Sequence, residues 1–138
     1  MEITYRAAGM TDEVTTCEHC GKAELKGTVR MLLLDVDGNT TEELYAGVVC
    51  AARLSGRKAS AIRTEANRAD RDRREAIWAA RNAWELKHCL WEQPLREAAI
   101  GRWPRPAEIR AWRDTDEYQA AAAAFLAEHP EPARYAHA

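Results

Sequence analysis

The sequence predicts an α+β fold in which a small module of cysteine knuckle, β-hairpin and short helix precedes a long α-helical hairpin. Three observations carry that expectation. Cys17-Glu18-His19-Cys20-Gly21 sets two cysteines two residues apart, and Cys50 answers them from the segment Cys50-Ala51-Ala52. Between them, an apolar run over residues 28–36 leads into Asp37-Gly38. After them, residues 57–93 contain neither glycine nor proline.

The residues ahead of Cys17 form an amino-terminal arm with no element assigned. Its opening, Met1 to Arg6, carries Glu2 where a signal peptide needs bases and lacks an apolar stretch, so the cytoplasm is the expected location. No run in the 138 residues is apolar enough to cross a bilayer, and no membrane partner is expected. Residues 28–36, rich in branched side chains, read as a strand. Asp37-Gly38 suits a two-residue hairpin turn because both residues tolerate positive φ, and residues 41–46 return as the second strand. Gly47 releases the chain into a short helix over residues 49–54, which Ser55-Gly56 ends as a glycine C-cap.

Residues 57–93, dominated by Ala, Arg and Glu, predict one long helix on the order of 50 Å. Gly101, Pro104 and Pro106 mark a loop, after which a last helix runs over residues 107–128 and stops at His129-Pro130. Its Ile109, Trp112, Tyr118, Phe125 and Leu126 can cover the stripe that Ile62, Ala66, Ala69, Ala76, Ile77, Ala80, Trp84 and Trp91 form on the long helix, as an antiparallel hairpin. Arg73 alone breaks that stripe. The tail from residue 131 is expected to fray. Two domains follow: a metal-binding hairpin module over residues 1–56, too small to be comfortable alone, and a helical extension over residues 57–138 packing on it.

In a reducing compartment, close-spaced cysteines are better read as metal ligands than as disulfides. Two thiolates separated by two residues can hold one tetrahedral ion from a tight turn, and a third reaches it from the first turn of the short helix. Cys17, Cys20 and Cys50 are therefore the expected ligands, with Zn2+ in a structural role the expected ion. The fourth position stays open among His19, Cys89, His129, His137 and the amino-terminal arm. Along an unbroken helix, Cys89 would lie about 45–50 Å away.

Knuckle, hairpin and ligand-bearing helix succeed one another in the order of a treble-clef zinc finger. Cys17, Cys20, Gly21, Thr28, Val29, Gly47, Cys50, Ala51 and Ala52 also resemble a pattern in small actinobacterial and phage zinc-binding proteins of unknown role. That resemblance covers residues 17–56, implies a zinc-supported fold and brings no activity with it. Zinc catalysis needs a general base, and the sequence contains no HExxH, no deaminase pairing of ligand motif with glutamate, and no GxSxG or nucleotide-binding glycine loop. A non-enzymatic protein is expected, with a three-ligand zinc hydrolase as the alternative.

The formal net charge of −2 hides an uneven distribution. Residues 1–50 hold nine acids and four bases, residues 51–105 seven acids and thirteen bases, and residues 106–138 six acids and three bases. A basic middle can face nucleic acid, or it can attract the acidic ends. Arg57, Arg63, Arg68, Arg71, Arg74 and Arg81 gather opposite the apolar stripe, and Arg63, Arg68, Arg71, Arg74 and Arg81 form a row that could neutralise successive phosphates. Glu65, Asp70, Asp72, Glu75 and Glu85 are interleaved with them, which predicts internal pairing. Nucleic acid is the expected partner, and the alternative is a host protein held by a phage-borne adaptor or inhibitor. Of the five tryptophans, Trp84 and Trp91 share the stripe. Trp78 lies off it and Trp103 in the proline loop; a core place is the first expectation for each, an exposed contact the second.

Overall fold

The structure, a computed structural model, describes residues 3–134. It is α+β, with β1 (Thr4–Thr11), β2 (Thr28–Leu34), β3 (Thr40–Ala46), α1 (Val48–Ser55), α2 (Ala59–Ile100), α3 (Pro106–Arg113) and α4 (Asp116–Glu128). The chain forms two compact units, Met1–Arg74 and Glu75–Ala138, and α2 contributes residues to both. Among the described residues, no helix is long and apolar enough to cross a membrane.

In the first unit, three antiparallel strands lie in the order β1-β2-β3. β2 takes the centre because it can bury both faces: Val29 and Met31 on one, Thr28 and Leu32 on the other. Within the arm ahead of Cys17, to which the sequence alone assigns no element, Thr4–Thr11 form β1. β1 pairs with β2 from Thr4 opposite Leu34 to Thr11 opposite Thr28, and it buries Ala7 and Ala8. It thereby satisfies a row of β2 amides and carbonyls that a two-stranded hairpin would leave open. A bulge interrupts the pairing between Ala7 and Gly9. Glycine suits the position, since at φ 155° a Cβ on Gly9 would press on the Asp70 carboxylate.

The hairpin turn differs from the expected two-residue form. Asp35 N–H donates to Asn39 O at 3.0 Å, so Val36, Asp37 and Gly38 form a three-residue loop with Gly38 at φ 83°. Asp35 Oδ1 accepts from the N–H groups of Asp37 and Asn39, both at 2.9 Å, which draws the loop tight. β3 is an outer strand and keeps Thr40, Thr41, Glu42 and Glu43 in solvent, which discourages pairing with another chain. α1 follows Gly47 and ends at Gly56, where the left-handed glycine donates its N–H to Ala52 O and Arg53 O. Ala51 of α1 and Ile62 and Ala66 of α2 complete the core over Ala7, Cys17, Val29, Met31 and Ala46.

In the second unit, α2 continues through Pro94, where the sequence predicts its end near Gln93, and stops at Ile100 before the left-handed Gly101. The proline removes one amide donor, but Leu90 and Pro94 are both exposed, so water can satisfy the freed carbonyl. The single helix expected over residues 107–128 is broken in two. Thr115 caps α4 by accepting from Tyr118 N–H at 3.3 Å, and its own N–H returns to Trp112 O. The expected antiparallel pairing of helices is present: Trp84 and Trp91 meet Phe125, and Trp84 Nε1–H donates to His129 O at 2.7 Å. At the start of the tail expected to fray, Glu131 pairs with Arg81 at 3.1 Å; residues 135–138 of that tail lie outside the described residues.

Candidate metal centre and arginine face

The knuckle is shaped by its own backbone. Gly21 N–H donates to Cys17 O at 2.8 Å and Cys17 N–H to Lys22 O at 2.9 Å, while Gly21 takes φ 78° to close the turn. Two further bonds fasten it to β3: Glu18 N–H to Tyr45 O at 2.8 Å, and Tyr45 N–H to Glu18 Oε2 at 2.9 Å. Cys50 arrives from the first turn of α1. The Sγ atoms of Cys17, Cys20 and Cys50 all lie within 4.8 Å of one another, so the three residues predicted from spacing come together. A tetrahedral ion with metal–sulfur bonds of about 2.3 Å needs sulfurs about 3.8 Å apart, which this set accommodates with little movement.

The three thiols differ in setting. Cys17 is buried, Cys50 half-buried and Cys20 exposed. Burial pushes the Cys17 thiol up, but hydrogen bonds from the backbone N–H groups of Cys20, Gly47 and His19, with the Cys20 side chain, outweigh it and bring the thiol down to about 7. Hydrogen bonding to Cys20, then burial, then hydrogen bonding to Cys17 push the Cys50 thiol up to about 11. Amide groups aimed at a buried sulfur favour a thiolate, and a bound cation would replace the proton that Cys50 shares with its neighbours.

Of the candidates for a fourth ligand, none joins this group among the described residues. His19 is exposed, Cys89 is exposed on α2, and the His129 ring lies 5.0 Å from Phe125. His137 lies outside the described residues.

The arginines separate into two sets. Arg63, Arg68, Arg71 and Arg74 are exposed and, among the described residues, have no ion pair or hydrogen bond through their side chains. The internal pairing expected from interleaved acids is present in part, Asp70 with Arg73 and Glu85 with Arg81, while Glu65 reaches eight positions back to Arg57; none of the three pairs uses Arg63, Arg68, Arg71 or Arg74. Arg81 is placed unlike the other four, half-buried with Nε 3.2 Å from Glu85 and Nη1 3.1 Å from Glu131. Asp72 and Glu75 are exposed and have no ion-pair partner among the described residues, so the face is mixed but carries more positive than negative charge. Beside it, Arg57, Ser60, Ala61, Thr64, Glu65 and Arg68 line a shallow groove of about 410 Å³.

Two structural details escape sequence reading, and one pair of side chains takes the second of two expected places. Asp70 Oδ2 accepts from Met10 N–H at 2.9 Å across sixty positions of chain, which explains why Arg73 intrudes on the apolar stripe: it neutralises the carboxylate that terminates the β1 bulge. Glu92 is 3% exposed and bonds Arg113 and Tyr118, with Tyr118 O–H donating at 2.6 Å. Trp78 and Trp103 are 69% and 88% exposed, against the first expectation of core places. The i, i+4 run His88-Glu92-Arg96 was the available signal for Glu92, but its decisive partners lie on α3 and α4.

Neither a protein-family model, nor a curated protein, nor a solved structure matches this chain.

Proposed function

We propose that this is a non-enzymatic, zinc-stabilised binding protein whose treble-clef-like module, held by Cys17, Cys20 and Cys50, presents Arg63, Arg68, Arg71 and Arg74 to a nucleic-acid backbone. The single observation that carries this reading is the commitment of Glu65, Asp70 and Glu85 to other arginines, which leaves the four exposed guanidiniums unneutralised. Guanidinium groups free of internal partners can release counterions from phosphates, the main source of sequence-independent affinity. Arg81, occupied by two carboxylates, is left out of the contact set.

Replacing Arg63, Arg68, Arg71 and Arg74 by alanine should weaken binding to duplex and single-stranded nucleic acid alike and flatten the slope of log K against log salt by roughly three to four. Unchanged affinity in that variant for every nucleic acid that binds the wild type would end the reading. A second reading rests on Trp78 and Trp103, whose exposure suits an anchor for a host protein, as in a phage-borne adaptor. Capture of a partner that survives nuclease treatment and is lost in Trp78→Ala and Trp103→Ala would favour it.

A further inference from the structure

We propose that the metal at Cys17, Cys20 and Cys50 keeps its fourth coordination position for a nitrogen or sulfur donor from outside the chain. The proposal rests on the reading that these cysteines hold a metal, and it goes beyond a purely structural staple. The first support is the closure of the group at three: no histidine, cysteine or carboxylate among the described residues joins the sulfurs. The second is the gradient of burial. Cys17 forms the inner wall at 1% exposed and faces backbone N–H groups, Cys50 stands half-buried on α1, and Cys20 is exposed. An ion seated on these sulfurs is shut in on the Cys17 side and approachable on the Cys20 side.

The third support is the rigidity of the knuckle. Glu18 is tied to Tyr45 through both its N–H and its carboxylate, and Cys17 N–H is tied to Lys22 O. Among the described residues, the exposed His19 does not join the three sulfurs that this turn holds. Closed structural zinc sites use four protein ligands, whereas three protein ligands leave a position for an exchangeable group. A centre built from three thiolates favours donors of similar softness, an imidazole nitrogen or a thiolate sulfur, over a carboxylate. No reaction is assigned to the position; it is a coordination site for a donor of that class.

The test uses the full chain loaded with Co2+ under anaerobic conditions, with imidazole and 2-mercaptoethanol as probes. Expected are a thiolate-to-cobalt charge-transfer band that weakens in each of Cys17→Ser, Cys20→Ser and Cys50→Ser, and visible ligand-field bands that shift saturably, one equivalent per site, when either probe is added. The same shift should occur in His19→Ala, His129→Ala, His137→Ala and Cys89→Ser. Bands that neither probe moves overturn the proposal, as do bands that become sensitive to imidazole only when one of those four residues is replaced, since that residue is then the fourth ligand. Absence of any charge-transfer band removes the metal centre itself, a result distinct from the other two.

Discussion

The sheet unit and the helical unit differ in what fills them. Residues 3–74 enclose mostly small side chains, Ala7, Ala46, Ala51 and Ala66 around Val29, Met31 and Ile62, with one thiol, Cys17, among them. Residues 75–134 gather rings instead: Trp84, His88, Trp91 and Tyr118, all half-buried, and the buried Phe125 contact one another, and Glu92 sits beside them with Arg113 and Tyr118 as partners. A unit this small gains from a metal crosslink, and the sulfur cluster lies in the sheet unit. Rings bury more area each, and the helical unit can carry one ionised carboxylate because that group is paired and hydrogen-bonded. The two units should therefore fail under different insults.

The largest effect should follow from attack on the sulfurs. Chelation, or Cys17→Ser, is expected to abolish protection of the β2 amides in hydrogen exchange while the α4 amides stay protected, because metal binding and folding are one equilibrium in small metal-held modules. Loss of protection in both units together would erase the contrast drawn above.

Next comes Glu92→Ala, which strands Arg113 and the Tyr118 hydroxyl. Arg113 is 46% exposed at its side chain and can recover some hydration, so a cost of about 2–3 kcal/mol is expected in thermal unfolding followed by tryptophan fluorescence, less than for a wholly buried pair. The same site sets a pH dependence. Burial pushes the Glu92 carboxyl up, but hydrogen bonds from Arg113 and Tyr118 outweigh it and hold it below the usual range. Its contribution is thus present above the ordinary glutamate pKa of about 4.5 and is lost as pH falls through the lower folded value. Burial, then Glu92, push Tyr118 up to about 12, so its contribution is complete below the ordinary tyrosine pKa of about 10 and fades as pH rises toward the folded value. Glu92→Gln should flatten the acid side of the helical unit's stability curve and leave the chelator response of the sheet unit untouched.

The smallest effect should come from Gly9→Ala. The added Cβ presses on Asp70 Oδ1 and forces either the bulge or the Asp70–Arg73 pair to move, at a cost of about 1–2 kcal/mol. Chemical denaturation should register it in the sheet unit alone, and equal stability of the variant would mean that the bulge is not held by Asp70.

Legibility followed range. Cys17, Cys20 and Cys50 could be grouped from the sequence because a knuckle and the first turn of a helix are local geometries, each set by a few residues and a glycine. Ile62, Ala66, Trp84 and Trp91 could be placed inward because helical periodicity is a property of neighbours three and four apart. β1 was harder to see: Thr-Tyr-Arg-Ala-Ala-Gly-Met-Thr has few β-branched residues, and it becomes a strand by pairing with β2. The break between α3 and α4 had a local signal in Thr115 followed by Asp116 and Glu117, a capping residue with acids in the first turn, that an otherwise helical alanine-rich stretch obscured.

By itself the sequence determined the α+β class, the three sulfurs and the inward placing of Ile62, Ala66, Trp84 and Trp91 on α2, because spacing and period are written in adjacent residues; Ala76 and Ala80, set on the same stripe by period, are exposed. Only the tertiary structure decided which charges are free. Asp70 turns to Met10 sixty residues away, and Glu92 turns to Arg113 and Tyr118 twenty-one and twenty-six residues away. A carboxylate pairs with whichever donor the packing brings within reach and shields from water, and that choice leaves Arg63, Arg68, Arg71 and Arg74 facing solvent.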